Sequence, residues 1–588
     1  MNNYFIQAVE NPEIESFDNL NDVAKPINID ENIEDIIKRY QSHPSILKIK
    51  ENVKVEKVFE FIDATEDDMY DGIMELNPKK TSVKDDIPAK VLLGTNDIIS
   101  KHMANMYNDS KNSQTFPSSM KQADVTPIPK TRETSIKKCF RPVSLNIILS
   151  KLYEKNMYAQ INDYIEQFLS PHLFGFRKGH STQHCLISMI EMWRKALDEG
   201  KIAGAILTDL SKAFDCLSHD LLVAKLEAYG FGRSALKFIS NYLRDRKQRT
   251  KVNGAYSSWK DIKYGVPQGS ILGPLLFNIF INDIFYFINN VNIANYADDN
   301  TTYASSKNIM DLLKLLETET FSVLNWFRFN EMKSNNDKCH LIISCNRNIN
   351  YENKSFVYLE NEFLESEDTV KLLGLTIDKE LKFKDHVTNL LKRGNQKLHA
   401  LMRVSKFLNQ EKLRLIMKTF IESQFNYCPL VWMFHGRKLN TKINKLHERA
   451  LRVVYKADNL TYEELLKKDE SFTVHERNLQ KLAIEMYKVK HNLSPQPVQD
   501  IFKRKSRKVR GGNEWVIPKV RTVNKGIETM RYRGPFIWNL VPNYIKLSKS
   551  LAVFKENIKN WQPVGCTCRL CEIYVPKLGR LKKSEIRN

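Results

Sequence analysis

Two hydrophobic periods alternate along the chain. From 146 to 200 apolar residues recur at helical spacing. Ile148, Leu152, Tyr153, Met157, Ile161 and Ile165 line one face, and a second helix runs from Thr182 past Trp193. Ile202-Ala203-Gly204-Ala205-Ile206-Leu207 breaks that pattern as a short, continuous apolar run ending at Asp209, which predicts a buried strand. Helical spacing returns over Ser218–Tyr229 and Ser234–Leu243, then Ile262–Val266 reads as a strand and Leu275–Phe287 as a strongly apolar helix. Val291–Tyr296 and Thr301–Ala304 predict a β-hairpin with Ala297-Asp298-Asp299-Asn300 at its turn. A helix over 308–328 and strands near 339–345 and 370–377 follow.

The flanks read differently. Residues 1–60 are acidic and polar, with one or two helices, and 66–110 show helical spacing broken by Asn77-Pro78 and Ile87-Pro88. Prolines at 117, 127, 129 and 142 make 116–145 a region of short edge strands. From His386 to Leu408 a helix places apolar residues at 387, 390, 391, 398, 401, 404 and 408, with Lys392, Arg393, Lys397, Arg403 and Lys406 riding alongside. By pattern this is equally an amphipathic surface helix or a phosphate-following one. Helices over 411–425, 441–456 and 474–492 precede a basic tail, which opens with Lys503–Arg510 and ends in a cysteine trio. The basic run suits a nuclear address or an RNA-binding tail.

Length changes the picture first. The chain has 588 residues, too many for one core, and suggests about three or four packed units. No apolar run reaches the ~18 residues of a membrane span, and Met1-Asn2-Asn3-Tyr4 lacks a basic-then-apolar signal, so the expectation is an intracellular protein that is not secreted and meets no membrane. Charge then narrows the partners. The net charge is +21, yet residues 1–100 hold 11 Lys/Arg against 21 Asp/Glu, so the remainder carries +31. A basic body of that size favours a polyanion, nucleic acid first. The nine cysteines are irregularly spaced and odd in number, which does not suggest a disulfide framework.

The candidate chemistry lies in three carboxylates. Asp209 stands at a strand end, and Asp298 and Asp299 follow 89 residues later at the hairpin turn. An all-oxygen set of this kind suits two hard divalent ions, which can activate a 3′-hydroxyl and neutralise a leaving pyrophosphate. Between them lies Gly265-Val266-Pro267-Gln268-Gly269-Ser270, whose glycines allow close backbone approach and whose following helix would offer N–H groups to a phosphate or base.

Leu207-Thr208-Asp209-Leu210-Ser211-Lys212-Ala213-Phe214-Asp215, Gly265–Ser270 and Tyr296-Ala297-Asp298-Asp299 together resemble the reverse transcriptases of non-LTR retrotransposons, especially the jockey-like group. Phe140-Arg141-Pro142-Val143-Ser144 and Phe174–Thr182 are similar to the family's fingers blocks. Asn335-Asn336-Asp337-Lys338-Cys339 resembles the block after the active site, and Lys371-Leu372-Leu373-Gly374-Leu375 the primer-grip strand. The likeness covers roughly residues 55–490.

That resemblance implies an α+β right-hand polymerase. It divides into an acidic N-terminal extension (1–110), fingers (111–205), a palm with an antiparallel sheet (206–385), a helical thumb (386–495) and a basic C-terminal tail (496–588). It implies RNA-directed DNA polymerisation. Asp209, Asp298 and Asp299 would be metal-binding catalytic residues for two Mg²⁺, with Mn²⁺ an alternative. Phe214 would be the sugar gate, although by pattern alone it is equally a core residue. Gln268 and Gly269 would line the nucleotide pocket, Lys130 and Arg141 would reach the triphosphate, and Lys338 would assist the leaving pyrophosphate. Lys392, Arg393, Lys397, Arg403 and Lys406 would follow the duplex backbone. Expected partners are template RNA, a DNA primer, dNTPs and a separate endonuclease, since no nuclease pattern stands in the first 100 residues. The expected location is the nucleus, or otherwise a cytoplasmic ribonucleoprotein. The competing reading is a catalytically silent, nucleic-acid-binding remnant of such an element. Zinc is not expected at Cys566, Cys568 and Cys571, because no nearby histidine or fourth cysteine closes the set; a distant fourth ligand stays open, and His447 or a second chain could supply it, but nothing in the sequence requires one.

Overall fold

The computed structural model describes Asn2 and residues 32–79, 86–130, 137–335, 338–346, 355–359, 362–505 and 514–571. Most of the acidic lead-in, Asn336 and Asp337 of the block after the hairpin, and the greater part of the Lys503–Arg510 run lie outside the described residues. The strands, in order, are β1 (Gln122–Pro129), β2 (Phe140–Asn146), β3 (Ile202–Asp209), β4 (Arg246–Val252), β5 (Ala255–Tyr256), β6 (Lys260–Ile262), β7 (Asn292–Tyr296), β8 (Asp299–Ser306), β9 (His340–Ser344), β10 (Phe356–Leu359), β11 (Glu362–Glu365), β12 (Thr369–Leu372) and β13 (Leu375–Asp378). Helices join them, so the architecture is mixed α+β.

The chain divides into two compact units that are interleaved in sequence. The first comprises Met1–Phe176, Thr208–Asn289 and Glu319–Asp337; the second comprises Arg177–Leu207, Asn290–Thr318 and Lys338–Asn588.

In the first unit, β1 pairs antiparallel with β2 and parallel with β4, while β5 and β6 both pair antiparallel with β4. The helix Ile148–Ile165 buries the residues its spacing predicts, and packs on the apolar helix Leu272–Ile281. Elsewhere in this unit Lys225 and Asp283 form a fully buried ion pair at 2.6 Å. Trp326 donates its indole N–H to the other Asp283 oxygen at 2.7 Å, and Lys225 also donates to the Phe280 carbonyl at 2.7 Å. Desolvation pushes the Lys225 ammonium down to about 8, against the attraction of Asp283.

In the second unit, a four-stranded sheet runs β7-β8-β3-β9, with β3 antiparallel to β9. Ile202–Leu207 are all buried, which is why the run is apolar without alternation. The helix Lys384–Val404 buries Val387, Leu390, Leu391, Leu398 and Leu401 and packs on Arg437–Tyr455. A Cβ at Gly394 would lie 2.6 Å from a Leu446 methyl, so a larger residue there would make that side chain shift.

Several elements differ from the sequence-based expectation. The strand expected over Ile262–Val266 stops at Ile262, because Gly265 takes φ +79° and turns the chain. The apolar helix begins earlier, at Leu272, and after Ile281 tightens into a 3₁₀ turn over Asn282–Phe287. The expected strand over 370–377 is a hairpin, with Leu373 at φ +45° and Gly374 at φ +79° between β12 and β13. Val404 is exposed rather than on the apolar face. The segment expected as a basic tail contains helices Met530–Leu540 and Leu551–Ile558, both packed on Val474–Lys490. It also buries Trp515, Trp538 and Phe554.

Candidate active site

The tip bearing Asp298 is held by asparagines. Tyr296 pairs with Asp299, so Ala297 and Asp298 alone form the hairpin loop. Ala297 sits at φ +58°, a left-handed conformation that a non-glycine residue keeps only when its surroundings enforce it. Asn295, fully buried, donates from Nδ2 to the Ala297 carbonyl at 2.9 Å and to Asn300 Oδ1 at 2.8 Å; Asn300 donates to the Asp298 carbonyl at 3.3 Å. Sequence reasoning missed both residues. Their signal was the asparagine on each side of Tyr296-Ala297-Asp298-Asp299.

Asp209 is the last residue of β3, which neighbours β8 in the sheet order, and β8 begins at Asp299. The Thr302 hydroxyl donates to the Ile206 carbonyl at 3.3 Å, tying β8 to β3. Beyond the sheet, the Asp209 carbonyl accepts from Asn335 N–H at 2.9 Å and Ser211 N–H donates to the Lys333 carbonyl at 2.9 Å, which fixes where the chain leaves the strand. No helix starts at Asp209: residues 211–216 are turns and the next helix opens at His219.

That turn and the Gly265–Ser270 loop clamp each other. Gly265 N–H donates to the Leu217 carbonyl at 2.8 Å and Val266 N–H to the Phe214 carbonyl at 2.9 Å. A Cβ on Gly265 would stand 2.6 Å from the Phe214 and Asp215 carbonyl oxygens. His219 Nε2 lies 2.7 Å from the Gly265 carbonyl; burial lowers its pKa to about 4, so the ring is neutral near pH 7 and its Nε2–H is the donor. Gln268 donates its amide to Asp215 at 2.8 Å, and its carbonyl accepts from Ser144 N–H at 2.9 Å. Burial raises the Asp215 pKa, while the Gln268 amide and the charges of Lys212 and Lys130 pull it back. Gly269, at φ +142°, lies so close to β2 that a Cβ would sit 2.2 Å from the Ser144 carbonyl oxygen. Gly265, Gln268 and Gly269 thus hold the frame together, and they do so partly through Asp215, to which the sequence alone assigns no role.

Phe214 lies on the turn rather than on a helix. Its ring stacks on Phe277 at 4.5 Å and meets Phe176 edge-on at 5.6 Å. Two aromatic neighbours thus pin a half-buried ring.

The helix start after the loop is closed to anions. Fully buried Glu154 accepts from Ile271 N–H at 2.6 Å and Leu272 N–H at 3.3 Å, and the Ser270 hydroxyl accepts from Gly273 N–H at 2.9 Å. The expectation that these N–H groups face a phosphate is therefore corrected: a carboxylate from helix Ile148–Ile165 caps them.

Lys130 and Arg141 are exposed beside the β1–β2 pair, where Arg141 is the register partner of Ile128 and Lys130 N–H donates to the Cys139 carbonyl at 2.7 Å. Lys338 is exposed before β9. On the basic helix, Lys392, Arg393, Arg403 and Lys406 are exposed, while Lys397 is half-buried with its ammonium 5.9 Å from the Phe420 ring centre. His447, the ligand considered for the cysteine trio, is held by Glu422 at 2.9 Å and Tyr462 at 2.8 Å. The histidine beside the trio is His475, whose Nε2 is 3.1 Å from Cys568 Sγ. It stands 93 residues away in sequence, a distant ligand of the kind the sequence leaves open, and it is not the His447 considered.

Residues 128–377 match the family model described as Reverse transcriptase (RNA-dependent DNA polymerase). The chain is 28% identical over 372 residues to the "Probable RNA-directed DNA polymerase from transposon BS" of Drosophila melanogaster, covering 60% of this chain and 40% of that protein. It is 28% identical over 329 residues to the "RNA-directed DNA polymerase from mobile element jockey" of the same fly, covering 54% and 35%. With the jockey protein of Drosophila funebris it shares 25% over 403 residues, covering 66% and 44%. The chain thus aligns with less than half the length of each of these relatives.

Proposed function

We propose that the chain is an RNA-directed DNA polymerase of a jockey-like, non-LTR retrotransposable element, supported by the match of residues 128–377 to the reverse transcriptase family model and by the similarity to the jockey protein. It adds dNTPs to a primer 3′-hydroxyl on an RNA template. The observation that carries this reading is the sheet order: a strand ending in Asp209 lies beside the strand that leaves the Asp298-Asp299 hairpin.

In this reading Asp209, Asp298 and Asp299 hold two divalent ions. Their donor set fits, being oxygen alone and anionic, as Mg²⁺ or Mn²⁺ prefers. When bound, the ions would lower the pKa of the attacking hydroxyl and neutralise the leaving oxygens. The chain's own residues do the rest. Asn295 and Asn300 keep the Asp298 loop in its strained shape before substrate arrives, which supplies preorganisation. Lys130 and Arg141 bind the triphosphate, Arg141 by a planar fork and Lys130 as a point charge. Phe214, wedged against Phe277, excludes a 2′-hydroxyl. Gln268 and Gly269 hold the nucleotide side of the pocket through Asp215 and β2. Lys338 assists the departing pyrophosphate. Lys392, Arg393, Lys397, Arg403 and Lys406 follow the duplex phosphates without reading sequence. A separate endonuclease prepares the target, and the work is done in the nucleus.

The test is primer extension with Mg²⁺ on poly(rA)/oligo(dT). Wild type extends, and Asp298→Ala loses at least about 10²–10³-fold in rate while still binding duplex. Wild type no better than that variant would sink the assignment. Phe214→Ala should admit ribonucleotides, shifting deoxy-over-ribo selectivity by about 10–200-fold. Unchanged selectivity would remove the gate role and leave the polymerase reading intact.

A further inference from the structure

The region around Cys568 is built more like a metal site than like a packing cluster. His475, Cys568 and Cys571 place their ligand atoms within 4.8 Å of one another. Cys571 N–H also donates to Cys568 Sγ at 3.4 Å, so the Cys568 sulfur is already an acceptor at the centre of the group. Cys566 stands two residues before Cys568 and is buried; it lies outside the group of three whose ligand atoms meet within 4.8 Å and is the candidate fourth ligand. His475, Cys566 and Cys568 are buried and Cys571 is half-buried. Two thiols and one imidazole therefore converge, with a third thiol two residues along the chain, in a space largely closed to water.

Geometry and charge both favour an ion. Tetrahedral zinc with Zn–S near 2.3 Å and Zn–N near 2.0–2.1 Å sets its ligand atoms roughly 3.5–3.8 Å apart. The 3.1 Å between His475 Nε2 and Cys568 Sγ is within a small adjustment of that edge. Three thiolates and a neutral imidazole around Zn²⁺ carry one net negative charge. Arg569, between Cys568 and Cys571, is positioned to answer it. Its guanidinium is anchored on the Phe434 and His435 carbonyls and on Asn524 Oδ1, the last at 2.8 Å, and its own carbonyl accepts from Arg437 at 2.7 Å. Arg437 thus holds the backbone between Cys568 and Cys571.

We propose that Cys566, Cys568, Cys571 and His475 form a structural zinc site that fastens the C-terminal segment to the start of helix Val474–Lys490. A site with four protein ligands and no open position is structural rather than catalytic. His475 and Cys568 are 93 residues apart, so the ion closes a long loop that includes helices Met530–Leu540 and Leu551–Ile558. The inference is independent of the polymerase reading, since its readout is metal content.

The experiment uses the full chain purified without chelator, with bound metal measured by elemental analysis. One zinc per chain is expected, falling towards zero in Cys568→Ser. Because that variant could unfold, wild type is also stripped and titrated with Co²⁺. Stoichiometric appearance of thiolate-to-cobalt charge-transfer absorption and tetrahedral d–d bands is expected. His475→Ala should change the d–d bands and His475→Cys should restore a tetrahedral spectrum. Metal-free wild type that gives no cobalt spectrum, or zinc retained in full by Cys568→Ser, would overturn the site.

Discussion

The Gly265–Ser270 loop and the basic helix Lys384–Val404 both read from sequence as ligand-facing, yet they are made in opposite ways. The loop turns its polar groups inward. Gly265, Val266, Gln268, Ile271 and Leu272 all bond to other parts of the protein, and Gly269 is pressed against Ser144. The basic helix does the reverse: its apolar stripe is buried and Lys392, Arg393 and Arg403 stand out in water. Dense motifs with several Gly and Pro mark places where the backbone itself must fit. Scattered cations on an amphipathic helix mark a surface, and only the surface can track a partner without reshaping the fold.

The comparison breaks most visibly at Gly269. Gly269→Ala forces a Cβ onto a backbone oxygen and fixes a disfavoured φ, which should destabilise by about 2–6 kcal/mol, combining overpacking of ~1–3 with backbone strain of ~1–3. Gly254→Ala, where φ is +86° but nothing lies within 4 Å, should show the strain alone. Thermal unfolding of the pair separates the two; equal losses would mean that the close approach to Ser144 does not constrain the loop.

The second unit should weaken in acid. Bonds from His447 and Arg477 hold the Glu422 carboxyl at about 2, and His184, Lys488 and Ser494 hold Glu485 at about 2, both against burial. A depressed carboxyl contributes stability above its unfolded value near 4.5 and loses it as pH falls towards 2. Glu422→Gln should cost about 1.5–3 kcal/mol at pH 7 and flatten that loss. A variant with the wild-type acid limb would show that the bond network is not the cause.

The smallest effect is on the basic helix. Lys392→Glu with Arg393→Glu should leave stability near wild type and reduce the salt slope of duplex binding by about 0.9 for each phosphate that is no longer neutralised. An unchanged slope would show that this face does not touch the duplex.

What was legible follows from how local the signal is. The buried strand ending at Asp209, the helix Ile148–Ile165 and the hairpin carrying Asp298 were readable because their apolar spacing repeats within a few residues. The tight β4–β5 turn was signalled by Asn253-Gly254 and passed over. The extent of Ile262–Val266 failed because one left-handed glycine outweighs the β-propensity around it. The Glu154 cap and the His475 neighbour were out of reach: each joins residues 93 or more apart, and nothing in their spacing marks the meeting. The charge of the C-terminal stretch hid the few aromatic anchors, Trp515, Trp538 and Phe554, that fold it.

The interleaving of the two units sets a timetable for birth on the ribosome. The chain passes between them at 176/177, 207/208, 289/290, 318/319 and 337/338, so neither unit is a single stretch that could emerge and close by itself. Ser45 must wait for Asn330, its hydrogen-bond partner 285 residues later, and at about 5–20 residues per second that is roughly 15–60 s of translation. During that interval helix Pro44–Asn52 lacks this partner, so the first unit is completed only after parts of the second have been made.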